Sequence, residues 1–136
     1  MKKRAQRGFT LAEVMVALAL LVMFIVGAYQ AVISALWLNQ TARDHYVAIN
    51  LANNRVERAR NLQYASLPSL AENQLVMDAD SLPNTDNGMY RRTTLVNTNY
   101  GSNLTEVAVQ VDIRNRRTGQ FSGVNEALAT VLPNRP

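Results

Sequence analysis

The sequence contains no cysteine and a single histidine. The first absence excludes disulfides, thiol nucleophiles and thiolate-bound metals. The second leaves His45 with no nucleophile at a recognisable spacing, so it reads as a partly exposed helix residue. Proline is scarce, with four in the chain, and none precedes Pro68, so no proline stops a helix in the first half. No acidic residue precedes Glu13. No Walker loop, dinucleotide fingerprint, Ser/His/Asp set or catalytic pair of carboxylates is present. The expectation is a non-enzymatic chain without cofactor or metal.

Charge is unevenly placed. Fourteen Lys and Arg stand against ten Asp and Glu, a formal +4. Lys2, Lys3, Arg4 and Arg7 supply four of the fourteen, so beyond Gly8 the count is ten against ten. The basic character belongs to the N-terminal segment, not to the chain as a whole. That argues against a broad basic footprint for nucleic acid, which needs a patch or stripe.

What is present is a long apolar run. Val14 to Leu38 holds no charge and no proline, and Gln30 and Ser34 are its clear polar interruptions. As a helix these residues span about 37 Å at a rise of ~1.5 Å each, enough to cross a hydrocarbon core ~30 Å thick with some tilt. The basic leader before it predicts a cytoplasmic N-terminus and an exterior C-terminal part. The run is too long for the apolar core of a secretory signal peptide, although Ala17-Leu18-Ala19 imitates a small-residue cleavage site. A plain signal anchor fits length and charge but leaves Glu13 unexplained. An acid at the edge of a membrane helix is a functional hypothesis that needs a partner.

Gly8-Phe9-Thr10-Leu11-Ala12-Glu13-Val14, after a short basic leader and before a long apolar helix, resembles the class III signal of type IV prepilins and pseudopilins. The resemblance implies cleavage between Gly8 and Phe9 by a membrane-embedded prepilin peptidase. The same enzyme would N-methylate Phe9. It also implies that Glu13 pairs with the N-terminal amine of a neighbouring subunit during assembly. Two features depart from parts of the family: the chain lacks the C-terminal disulfide loop of many major pilins, and it lacks the proline that several pilins carry in the membrane half. A straighter helix is expected.

Beyond Leu38 the pattern becomes amphipathic. Ile49, Ala52, Val56 and Ala59, with Ala42 one heptad earlier, fall on one helical face, and Arg43, Asn50, Asn54, Glu57 and Arg58 can face away. The helix is therefore expected to continue from Phe9 to about Arg60. Leu51-Ala52, Glu57, Arg60 and then Tyr64 resemble the stem end of minor pilins of the pilus-modification type and of I-type minor pseudopilins of type II secretion. An ordinary solvated helix end with intrahelical charge pairs explains the same residues.

Asn61 to Gly88 carries Pro68, Pro83 and many turn formers and reads as an irregular connector, with a short strand at Leu75-Val76-Met77. Asp78, Asp80, Asn84, Asp86 and Asn87 offer enough oxygen for a calcium loop, but the spacing is not that of an EF-hand and turn formation accounts for them better. Strands are expected at Met89–Val96, Leu104–Ile113 and Ala127–Leu132, joined by a loop over Asn97–Asn103 and a charged turn over Arg114–Gly119. In the second strand Val107, Val109, Val111 and Ile113 alternate with polar or small residues, which marks one buried face. Arg114, Asn115, Arg116 and Arg117 read more readily as a solvated loop than as an anion-binding patch.

The fold class expected is α+β, pilin-like: a long N-terminal helix, transmembrane in its first half, packed on an antiparallel sheet of three or four strands. The division is a leader peptide over 1–8, a transmembrane and assembly helix over 9–38, an exposed half of the stem over 39–62, and a globular head over 63–136. The partners implied are the prepilin peptidase/N-methyltransferase, other pilin or pseudopilin subunits through the N-terminal helix, and the lipid bilayer before assembly. The location implied is the bacterial inner membrane, single-pass, and then a pilus or pseudopilus. Two other readings stay open here: a tip subunit that binds DNA, a surface or an exported protein, and a simple membrane-anchored exterior domain.

Overall fold

The computed structural model describes residues 8–133. The chain divides into two compact units, Met1–Gln40 and Thr41–Pro136. The basic leader residues Lys2, Lys3, Arg4 and Arg7 lie outside the described residues.

In the first unit, helix α1 starts at Leu11, and it runs to Arg60. Straight-chain and small residues dominate its opening turns, and no proline interrupts the hydrogen-bond ladder. From Gly8 to Gln40 every residue is exposed except the half-buried Ile33. The span includes an 18-residue window long and apolar enough to cross a membrane, with none of it buried.

The second unit is a helix on a sheet. Its four strands are β1 (Glu72–Met77), β2 (Tyr90–Gly101), β3 (Leu104–Arg114) and β4 (Phe121–Pro133). They are hydrogen-bonded in the order β1-β2-β3-β4, and every pair is antiparallel. The architecture is α+β, as expected. The period-2 pattern of β3 sets the inner face: Thr105, Val107, Val109, Val111 and Ile113 are buried. Across the sheet, Val96 and Thr130 flank Val107, and Thr94 and Leu128 flank Val109. The face is closed by Ala48, Leu51, Ala52, Val56 and Ala59 of α1, with Leu67, Leu70, Met77 and Tyr90 completing the core.

The helical face differs from the one expected. Ala52, Val56 and Ala59 are buried, but Ile49 is 37 % exposed and Ala42 is exposed. The buried stripe is centred one residue earlier and includes Asp44, Ala48, Leu51 and Arg55. Apolar character alone misplaced the face because it discounted charged residues that are buried with partners.

The connector also holds more structure than expected. Tyr64–Leu70 forms a 3-10 helix with Pro68 inside it, and that helix buries Leu67 and Leu70. β1 begins at Glu72, ahead of the expected Leu75, with a bulge between Glu72 and Leu75. The β2–β3 loop is shorter than Asn97–Asn103. Asn97 still pairs with Glu106 and, after a shift in register, Gly101 pairs with Leu104; the turn is closed by Asn103 at φ 60, a conformation Asn tolerates better than most residues. β4 is longer than Ala127–Leu132, since Arg114 already pairs with Phe121. Gly88 is required by space: a Cβ there would lie 2.6 Å from both the Asn84 carbonyl oxygen and Val76 Cγ1.

Leu51 is 2 % exposed and Ile49 is 37 % exposed. Leu51→Ala is expected to cost about 2–5 kcal/mol and Ile49→Ala well under half of that. Urea unfolding of the detergent-solubilised chain, followed by circular dichroism, measures both.

Candidate functional site

The N-terminal site is built by the start of α1. Gly8, Phe9 and Thr10 precede the helix, and Phe9 is 87 % exposed. The Thr10 carbonyl accepts the first helical hydrogen bond, from the Val14 N–H at 3.2 Å. Thr10 is thus the N-cap. Its Oγ1 accepts the Glu13 N–H at 3.3 Å, and Glu13 Oε2 accepts the Thr10 N–H at 3.1 Å. The Thr10 hydroxyl also donates to Glu13 Oε2 at 3.2 Å. This is a reciprocal capping box, in which two otherwise orphaned N–H groups are satisfied by side chains. The carboxylate also sits in the first turn, where the helix dipole favours negative charge.

Sequence reasoning singled out Glu13 but missed Thr10 as its partner. The signal was available, since Thr10-Leu11-Ala12-Glu13 has the capping-box spacing ahead of an apolar run. Chemically, the arrangement leaves the Gly8–Phe9 peptide bond just outside the helix. A Cβ on Gly8 would meet nothing within 4 Å, so packing inside the described chain does not require glycine there.

Buried charge in the second unit forms two clusters. In one, Asp44, 8 % exposed, accepts from Arg116 Nε at 3.1 Å and from its terminal nitrogen at 2.9 Å. The Tyr90 hydroxyl donates to the same carboxylate at 3.4 Å. In the other, Glu72 lies between two arginines, 2.6 Å from Arg55 and 2.9 Å from Arg92. Arg55 also donates to the Leu70 carbonyl at 2.8 Å. Burial pushes the Arg55 pKa down, Glu72 opposes that shift, and Arg92 and Arg58 add to it. Arg116 is shifted up, chiefly by its hydrogen bond to Asp44. None of Asp44, Arg55, Glu72 and Arg92 was singled out as a buried ion, because such pairs span many residues in sequence and carry no local motif.

The other candidates have local roles. Arg116 is engaged by Asp44, and Arg114 donates to the Asp86 carbonyl at 3.3 Å and lies over the Phe121 ring at 5.2 Å. His45 Nδ1 is 2.6 Å from Glu126 Oε1, which ties the helix to β4. In the Asp78–Asn87 loop, Asn84 donates to Asp78 at 2.9 Å and accepts the Asn87 N–H at 3.1 Å. These side chains close turns. Among the described residues no group of three His, Cys, Asp or Glu is placed to hold a metal. Of the second signature, Leu51 and Ala52 are core residues, while Glu57 and Arg60 form an exposed ion pair at 2.7 Å. Arg60 and Tyr64 line an open groove with Ala59, Leu67, Leu132 and Pro133.

Burial, then the Asp44 carboxylate, raises the Tyr90 phenol from 10.0 to about 12. The folded state therefore holds this proton more tightly than the unfolded chain. Its contribution is complete below pH 10 and is lost as pH rises towards 12. Denaturant midpoints measured across that window are expected to fall, and Tyr90→Phe is expected to flatten this part of the decline.

Residues 3–29 match the family model of the prokaryotic N-terminal methylation motif. No curated protein and no solved structure matches the chain.

Proposed function

We propose that this chain, which carries the methylation motif that supports a type IV pilin or pseudopilin precursor, is a non-enzymatic minor subunit of a type IV pilus or type II secretion filament. The observation that carries the reading is the junction at Gly8. A match over residues 3–29 leads into a helix whose membrane-length apolar window has none of its residues buried. A helix apolar all round and exposed needs lipid or other helices around it. Before assembly the bilayer supplies that environment, with the C-terminal unit on the outer side. After assembly the stems of neighbouring subunits replace the lipid.

Processing prepares the chain for this exchange. Prepilin peptidase cuts between Gly8 and Phe9, where the backbone is not yet helical, and transfers a methyl group to the Phe9 amine. The unencumbered space at Gly8 fits a glycine selected by the peptidase, not by packing in its own chain. Cleavage places an ammonium on Phe9, and Glu13 of an adjacent subunit pairs with it in a low-dielectric bundle. Leaving either charge unpaired there is costly. One such pairing sets the axial stagger between subunits, and the apolar stems supply the attraction. The compact C-terminal unit, the absence of cysteine and the Glu57/Arg60 stem end support a minor over a major subunit. The second unit's core and its locally committed polar loops favour a structural role over ligand recognition.

The experiment is the N-terminus and mass of the protein from cells with and without prepilin peptidase. The expected product starts at Phe9 and is about 14 mass units heavy from one methyl group. A chain that begins at Met1 in both strains would overturn the proposal. A start near Ala19 would make the segment a conventional signal peptide. Glu13→Ala is expected to be cleaved normally yet to enter filaments poorly, as read by immunoblots of sheared filament fractions. Normal incorporation would remove the pairing role.

A further inference from the structure

Two polar residues interrupt the apolar run of α1. Gln30 and Ser34 stand one turn apart, and both are exposed. Among the described residues no group hydrogen-bonds to either side chain. In a stem surrounded by lipid or by other stems, an unpaired amide or hydroxyl is costly. Such side chains in membrane helices find their partners on a neighbouring helix. Gly27, on the same side of the helix, makes a second demand. Glycine weakens a helix interior, and a Cβ there would meet nothing within 4 Å, so its own chain does not require it. Close approach by another helix does.

The spacing points to a particular neighbour. Phe9 and Glu13 are four residues apart, and so are Gln30 and Ser34. Gln30 follows Phe9 by 21 residues and Ser34 follows Glu13 by the same number, which is three heptads. Helices packed with a left-handed crossing keep a seam of period 3.5 in contact. Both pairs therefore lie on one seam, with Val16, Leu20, Met23 and Gly27 between them. If Glu13 of one stem meets the Phe9 amine of a second copy, the two parallel stems are shifted by about 6 Å at ~1.5 Å per residue. That shift sets Leu20 against Val16, Gly27 against Met23 and Ser34 against Gln30. The Gln30 amide can donate to Ser34 Oγ or accept its O–H. Other registers fail at both polar positions. Unshifted stems set Glu13 against Glu13. A shift of three residues sets Glu13 against Val16 and Gln30 against Gly27, and a shift of seven sets Glu13 against Leu20 and Gln30 against Met23.

We propose that Gln30 and Ser34 form a second polar contact between stems. Ser34 of one copy of this chain bonds Gln30 of the next, at the stagger that joins Glu13 to Phe9. The inference rests on the filament reading above and names the residues that hold the stagger inside the apolar bundle. The two contacts lie about 30 Å apart along the stem at ~1.5 Å per residue, so together they exclude a slip that one contact at the end would leave open. Each copy offers Ser34 to one neighbour and Gln30 to the other. The contact is therefore head-to-tail, and it propagates along a filament.

The absence of cysteine from the sequence lets disulfide formation report the stagger. Two full-length copies with different epitope tags are co-expressed, one Leu20→Cys and the other Val16→Cys, and filament fractions are oxidised. Only residues brought close together by the packing can be bridged. The expected result is a disulfide between the two tags several-fold above that formed when both copies are Leu20→Cys, which reports the unshifted register. Gln30→Leu in both copies is expected to lower the staggered product several-fold. The exchange of Gln30→Ser with Ser34→Gln in both copies is expected to restore it, since an amide again faces a hydroxyl. Leucine is a strong helix former, so loss of helix does not account for a fall. The proposal is overturned by absence of the staggered product, by a product that Gln30→Leu leaves unchanged, by failure of the exchange to restore it, or by cross-links to other proteins alone. The N-terminus of the same samples keeps the two readings apart. A start at Met1 overturns the filament reading, whereas a start at Phe9 without the Gln30 effect overturns this inference alone.

Discussion

The second unit depends on the closure of one sheet face by the last turns of α1. Val107, Val109 and Val111 are each 1 % exposed or less, and Ala48 and Ala52 are fully buried. Among the described residues there is no second sheet to cover its apolar face, so α1 takes that place, with Leu67 and Leu70 of the 3-10 helix beside it. Each fully buried Val or Leu contributes about 1.5–3 kcal/mol, and small domains have few such residues to offer. The alanines at 48, 52 and 59 are as necessary as the larger side chains. They let the helix approach closely enough for Leu51 and Val56 to reach the sheet. The same helix follows a different rule before Gln40, where it is apolar all round and almost entirely exposed. One continuous element thus carries two surface chemistries, and the change between them falls where the chain divides into its two units.

Hydrophobic burial does not by itself fix where a helix sits along a sheet. Apolar contact is non-directional. The two buried ion clusters supply what burial lacks. Asp44, near the start of the packed segment, is held by Arg116 and Tyr90, and Arg55, further along, is held by Glu72. Buried pairs of this kind add little net stability compared with apolar replacements, but removing one partner strands a charge. A helix displaced by one turn would strand Asp44 and Arg55 together. The clusters also account for buried polar residues on a helical face that would otherwise be read as its wet side.

Much of this was legible in the sequence, and the misses share a cause. The strong signals hold: the alternation in β3, the uninterrupted helix and the charged turn expected over Arg114–Gly119, of which Arg114 itself ends β3 and pairs with Phe121. Boundaries of β2 and β4 were set too short because Asn97, Asn99, Asn125 and Glu126 are poor strand formers. In the structure their neighbours decide, with Asn97 opposite Glu106 and Asn125 opposite Asp112. Ile49 was placed in the core and Asp44 was not, since hydropathy cannot see a partner 72 residues away. The 3-10 helix at Tyr64–Leu70 was hidden by Pro68, which reads as a breaker yet fits a short tight helix. At the N-terminus Glu13 stands out as an acid at the edge of an apolar run, whereas its partner Thr10 is marked only by the Thr-x-x-Glu capping spacing.

That local partner bears directly on the proposed assembly role. A carboxylate already used in a capping box would be a poor ligand for a neighbour's ammonium if pairing broke the cap. The geometry avoids the conflict. Both hydrogen bonds that Glu13 accepts from Thr10 go to one oxygen, Oε2. An ionised carboxylate offers two oxygens and about four lone-pair sites, so Oε1 can meet a cation while Oε2 keeps the helix start in place. The cap would then do more than stabilise a helix end. By fixing the Glu13 rotamer before any neighbour arrives, it removes side-chain entropy that pairing would otherwise have to overcome. Thr10 is in this view a positioning residue for Glu13, and the spacing Thr-x-x-Glu that caps the helix is compatible with the proposed subunit pairing.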